Sequence, residues 1–205
     1  MIQDPEPLLH PRAIADLRPT QITVGLREVE RKRQEWRQRA DREGPDYLGR
    51  HMLPVVLGPK DRAYLIDNHH LALALHLEGV KHVLVHVIAD LSALARPAFI
   101  TFMDNRNWLH PFDAKGIRQD YDDIPKKVTD LTDDPYRSLA GALRRAGGYA
   151  KVDTPYAEFL WADFLRRRIK PGHLESHFGQ ALSDALAFAN GHDTAHLPGW
   201  AGTND

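Results

Sequence analysis

An aspartate, an asparagine and two adjacent histidines, Asp67-Asn68-His69-His70, interrupt an apolar run that begins at Tyr64-Leu65-Ile66 and resumes at Leu71. Such a group can turn the chain, receive an anion and move a proton. Asn68 tolerates a positive φ, so it can reverse the backbone sharply and leave amide N–H groups pointing outward. A helix opening at His69 or His70 would add the partial positive charge of its first turn, which favours phosphate, sulfate or carboxylate. Histidine exchanges protons near neutral pH, and an aspartate such as Asp67 can orient it. A plain polar helix cap uses the same residues, and the short motif alone leaves both readings open.

Two strands must deliver these side chains. Val55-Val56-Leu57 and Ala63-Tyr64-Leu65-Ile66 flank the turn signal Gly58-Pro59-Lys60-Asp61 and predict a hairpin that ends at Asp67. Leu71 to Leu77 alternates like a strand but consists of good helix formers, and Gly79 is placed for a C′ stop, so a helix is expected. Val83, Val85 and Val87, with Leu84 and Ile88 between them, predict a strand buried on both faces. Upstream, residues 8–16 predict loop and short strand. Arg27 to Glu43 carries seven Arg/Lys against five Asp/Glu with Val29 and Trp36 on one face, a solvated helix with a narrow buried stripe.

Beyond the valine strand the pattern turns helical. Pro97 opens a helix through Met103, and an irregular stretch runs from Asn105 to Gly116. Asp134-Pro135 and Thr154-Pro155 each place a capping residue before proline, which predicts helices running to about Arg145 and from Tyr156 to Ile169. A further helix is expected over 174–189. The join between the α/β part and the helical part falls near 105–125.

Composition narrows the function. The chain has 205 residues, 42% hydrophobic and 27% charged, as in an ordinary globular protein. It has no cysteine, which excludes disulfides, thiolate-held metals and a cysteine nucleophile, and suits the cytoplasm. Met1 to Pro7 lacks the features of a secretion signal, and no run reaches membrane-spanning length. With a net charge of −1 and twelve neutral histidines, the molecule as a whole has no basic excess for nucleic acid. Any such binding needs a local patch.

With these residues laid out, the chain resembles the ParB/sulfiredoxin-like superfamily, in the branch of ParB-like nucleases. The first half carries Leu17-Arg18-Pro19-Thr20-Gln21, Leu65-Ile66-Asp67-Asn68-His69-His70, the Leu/Ala helix, Gly79 and the valine strand. The second carries Trp108-Leu109-His110-Pro111, Asp133-Asp134-Pro135-Tyr136-Arg137-Ser138-Leu139, Glu158-Phe159-Leu160-Trp161-Ala162 and Leu197-Pro198-Gly199-Trp200. The resemblance implies an α+β fold: a small α/β domain with a mixed sheet, residues 1–105, followed by a helical extension, residues 106–205, packed on it. It also implies a strand-to-helix turn that binds a phosphate-bearing ligand, whether nucleotide, nucleic acid or phosphorylated metabolite.

Residue by residue, His69 falls where sulfiredoxins carry their reactive cysteine, so sulfiredoxin chemistry is excluded. Asn68 replaces the family's usual glycine, and Leu71 replaces an arginine that grips phosphate. Arg18 or Arg137 could supply that charge. A DNA-reading helix-turn-helix is not evident, and sequence-specific DNA binding is not supported.

The catalytic candidates are therefore Asp67, His69 and His70, and Asp67 could also hold Mg²⁺. The ligand-binding candidates are Arg18, Gln21, Asn68, Trp108, His110, Arg137 and Glu158. Trp108, His110 and Asp113 could form a lid, and Glu158 and Trp161 lie one turn apart, so both could face one cleft. His192 and His196 have helical metal spacing but follow the helix end Asn190-Gly191, and no metal is expected there. The expected activity is phosphoester hydrolysis on a nucleotide, nucleic acid or small metabolite. The alternatives are a non-catalytic nucleotide-dependent or DNA-associated module and a small-molecule kinase.

Overall fold

The computed structural model describes residues 10–202, apart from the side chains of His10, Gly44 and Pro45; the expectations for residues 1–9 lie outside the described residues. The fold is α+β. The chain divides into two compact units, each built from three segments: residues 1–23, 29–112 and 118–132 form the first, and residues 24–28, 113–117 and 133–205 the second. The boundary expected at 105/106 lies within the first unit. Residues 106–112 and 118–132 stay with the α/β part because hydrogen bonds tie them there: His110 N–H donates to Thr20 O at 2.8 Å, and Thr132 N–H donates to Ile22 O at 3.1 Å.

The first unit is built on a five-stranded mixed sheet. Its strands are β1 (His10–Ala13), β2 (Arg18–Pro19), β4 (Leu53–Gly58), β5 (Arg62–Leu65) and β6 (His82–Asp90), in the order β1-β6-β4-β5-β2. The short strands β3 (Thr23–Val24) and β7 (Thr132–Asp133) each carry the chain from one unit to the other. The predicted hairpin is present, with β4 antiparallel to β5 and Val55 opposite Leu65. Gly58 closes it because a Cβ there would come within 2.6 Å of the Tyr64 ring and 2.7 Å of Phe99. The parallel partners are β4 with β6 and β2 with β5, where Arg18 lies opposite Tyr64.

The charged helix α1 (Leu26–Arg50) runs past the predicted Glu43, with Val29 buried. Helix α2 (His69–Leu77) ends as expected before Gly79, whose φ is +79°. Leu53, Val55, Leu65, Leu71, Leu75, Val83 and Val85 supply buried apolar side chains in this unit. The valine strand departs from the expectation of two buried faces: Val83 and Val85 are buried, but His86 and Ile88 are exposed, so β6 alternates over its length. Helix α3 (Arg96–Asn105) starts one residue before Pro97, the residue predicted to open it, and Phe99 and Met103 pack with Val56 and Leu109.

The second unit is helical: α4 (Pro135–Arg145), α5 (Ala157–Arg166), α6 (Pro171–Ser176) and α7 (Phe178–Ala189). Asp134 caps α4 as its sequence predicts, accepting from the Tyr136 N–H at 3.0 Å. Thr154-Pro155 do not cap α5. Tyr156, at φ +59°, takes the N-cap position instead, and the helix ends at Arg166 rather than Ile169. The helix expected over 174–189 is two helices, broken at His177, whose φ of −138° leaves the helical region. The core stacks Tyr149 on Trp161, with ring centroids 4.5 Å apart. The Leu197-Pro198-Gly199-Trp200 loop closes on it: Trp161 Nε1–H donates to Pro198 O at 2.8 Å, and Ala150 N–H donates to Gly199 O at 2.7 Å.

Candidate active site

Strand β5 ends at Leu65, and Ile66 N–H still pairs with Pro54 O at 3.1 Å, so the turn begins from a fixed strand end. Asn68 then adopts φ 62°, ψ 28°, the left-handed conformation its residue type allows. Asp67 is exposed, and its Oδ1 accepts the Asn68 N–H at 2.6 Å, which pins the reversal. The first helical bond of α2 runs from Ala72 N–H to Asn68 O at 2.9 Å. No side chain caps this helix, and the positive end of its dipole lies at the turn.

The two imidazoles have different surroundings. His69 is only 3% exposed, and its Nε2 accepts the Thr20 backbone N–H at 3.1 Å. An acceptor Nε2 carries no proton, which places the ring's hydrogen on Nδ1. The Thr20 hydroxyl donates to Leu65 O at 2.7 Å and lies 3.4 Å from the same Nε2. His69 is thus a clamp that fastens the end of β2 to the start of α2. His70 is half-buried on the first turn of α2.

Thr20 is the hub that sequence reasoning missed. Its N–H holds His69, its hydroxyl holds Leu65, and its carbonyl accepts the His110 N–H. The signal was available: it sits between Pro19 and Gln21 in the quoted Arg18-Pro19-Thr20-Gln21 segment, yet a small polar residue carries no chemistry of its own to draw notice. Gln21 forms a parallel bridge with His110 and spends its Nε2–H on Thr23 O at 2.6 Å, so it shapes the backbone there. His110 is half-buried and stacks on Phe112 with centroids 4.5 Å apart. Trp108, also half-buried, packs on the Phe99–Met103 cluster beside Ile66, and the Arg106 guanidinium lies over its ring at 5.1 Å.

The structure therefore gathers Thr20, Gln21, His69 and His110 into one hydrogen-bonded group around the turn of Asp67, Asn68 and His70. Other candidates lie elsewhere. Arg18 lines a cleft at the far end of β5 with Arg12 and Arg62. Arg137 and Glu158 belong to the second unit. There Arg137 is 4% exposed, its guanidinium lies 3.5 Å above the Phe159 ring centroid and 3.9 Å from Glu158, and Glu158 also pairs with Arg144. Trp161 does not share a cleft with Glu158, because its ring is wholly buried in the helical core. Leu71 is 1% exposed and turned into the apolar core, so this position offers the ligand no polar group. Among the described residues no group of three or more His, Asp or Glu could hold a metal, His192 and His196 included.

The first unit thus joins a mixed sheet to a strand-to-helix turn that carries Asp67, Asn68, His69 and His70. The family described as "Putative ParB-like nuclease" matches residues 10–167, and the chain belongs to that family. Protein Atu1540 from Agrobacterium tumefaciens, known from its crystal structure, is 56% identical, with a TM-score of 0.90 over 97% of this chain and 100% of that one. No curated protein matches the sequence. Among the described residues no helix is long and apolar enough to cross a membrane.

Proposed function

We propose that this protein hydrolyses phosphoester bonds at the turn between β5 and α2. The observation that carries the reading is the turn itself: Asp67 is exposed, Asn68 is left-handed, and His70 is half-buried on the first turn of α2, beside the buried His69 that holds Thr20. A phosphoryl group seated on the leading amides of α2 would have its oxygens stabilised by backbone N–H groups and the helix dipole. His70 would transfer the proton to or from the reacting oxygen. Asn68 and the Thr20–His69 clamp hold that geometry before the ligand arrives.

Asp67 is the residue that would hold Mg²⁺. It is exposed beside the anion seat, and Mg²⁺ commonly takes one carboxylate together with substrate phosphates, which agrees with a site that has no protein cage. The ion would supply charge neutralisation on the phosphoryl oxygens. The ligand classes open to such a seat are a nucleotide, a nucleic acid or a phosphorylated metabolite.

The test is His70→Ala, assayed on nucleotide, oligonucleotide and aryl-phosphoester panels with and without Mg²⁺. Loss of a general acid–base should lower turnover about 10²–10⁴-fold with the unfolding curve unchanged. Unchanged hydrolysis by the variant would refute the assignment. Leu71 gives a second reading its one specific support: with no arginine at that position, the turn could bind a nucleotide without turning it over. Thermal stabilisation by a nucleotide with no product formed would favour that module.

A further inference from the structure

A cleft of about 520 Å³ lies in the first unit and draws its walls from three parts of the chain: the β1–β2 region, the start of β5, and the loop before the 3₁₀ turn Val128–Asp130. Its volume falls within the range of ligand sites. Arg12, Arg18, Arg62, Lys126 and Lys127 line it against two carboxylates, Asp16 and Asp61. None of the five cations forms an ion pair among the described residues, in a unit where Arg31, Arg33, Arg37 and Arg96 all do. Five cations against two carboxylates leave a positive excess, and an anion relieves its repulsion.

The backbone supports the same placement. Lys60 and Asp61 both adopt positive φ, 63° and 53°, which L side chains seldom do in succession. This sharp turn delivers Asp61 and Arg62 to the wall of the cleft. Two residues beyond Arg18 stands Thr20, the hub of the turn site, roughly 7 Å away at the rise of extended chain.

We propose that this cleft is a binding site for the phosphodiester backbone of a nucleic-acid strand, gripped without reading its bases. No aromatic ring lines it for a base to stack on, and the cations sit on long flexible stems, which suits phosphates along a chain. It is also the local basic patch that a chain of net charge −1 requires if it is to hold nucleic acid at all. Binding here needs no chemistry at the turn, so it stands or falls apart from the hydrolase reading.

The experiment measures binding of a fluorescein-labelled oligothymidylate by anisotropy across a salt series, for the wild type and for the Arg62→Ala/Lys126→Ala/Lys127→Ala variant. These three side chains are exposed, and equal unfolding curves confirm that the variant folds. Loss of three phosphate contacts should flatten the slope of log K against log salt by about 2 and weaken low-salt binding about ten-fold or more. The readout is binding measured without Mg²⁺, so it reports on the cleft whether or not hydrolysis is ever detected. The proposal is overturned if the wild type does not bind the strand at low salt, if the triple variant keeps its slope, or if inorganic tripolyphosphate displaces the strand at equal phosphate concentration.

Discussion

Replacing His69 by leucine separates a clamp from a catalyst. The imidazole is buried, and its Nε2 is the acceptor for the Thr20 N–H at 3.1 Å, with Thr20 itself buried. Leucine fills comparable space but accepts nothing, so a buried amide loses its partner. That costs about 1–3 kcal/mol. In a chain of this size each kcal/mol moves Tm by roughly 2–4 °C, so a drop of about 4–8 °C is expected for the middle of that range. His69→Gln keeps a side-chain oxygen that can accept the same N–H and should recover part of the loss. Thermal unfolding gives the magnitude, and hydrogen exchange at the Thr20 amide gives the cause: slow in the wild type and in His69→Gln, fast in His69→Leu. Equal stability of His69→Leu and wild type, or a Thr20 amide that exchanges alike in all three, would refute the clamp.

Two further outcomes follow from other parts of the chain. Gly199 has φ +73°, and a Cβ on it would stand 2.2 Å from Ala150 O, so Gly199→Ala should destabilise the helical unit by about 2–5 kcal/mol in urea unfolding. The Glu78 carboxyl is held down to about 2 by the hydrogen bond from Arg37 and then that from Arg33, against the usual 4.5. A depressed carboxylate stabilises the folded chain above its unfolded pKa, so this contribution is complete above about 4.5 and fades as pH falls toward 2. Glu78→Gln should remove that part of the acid slope in pH-dependent unfolding, with a modest loss of stability above about 4.5, where the surface bridge is fully charged, that vanishes as pH falls toward 2.

Local chemistry was the legible part of the sequence. Asn68 announces a left-handed turn, Gly79 a helix stop, Asp134-Pro135 a helix start, and Gly58 with Pro59 a hairpin, because each acts on its own few residues. What failed depended on partners distant in sequence or on competing local choices. Thr154-Pro155 is a good cap by type, yet Tyr156 takes the position. The apolar spacing from Leu174 to Ala189 is continuous, and periodicity alone could not show the break at His177. Two histidines side by side look interchangeable until Thr20, 49 residues away from His69, engages one of them. The basic cleft was hidden for the same reason: its cations come from residues 12, 18, 62, 126 and 127, and only folding assembles them.

The interleaved course of the chain governs how the protein can be dissected. Each compact unit draws on three separate stretches of sequence, so no single cut separates the two: a fragment ending at residue 132 holds all of the first unit but carries residues 24–28 and 113–117 of the second with it. An expression fragment stopped at residue 105 would lose His110, whose amide fastens to Thr20, along with Lys126 and Lys127. For the same reason a one-crossover chimera with a homologue cannot take each unit whole from a different parent, and its breakpoints should be chosen in pairs.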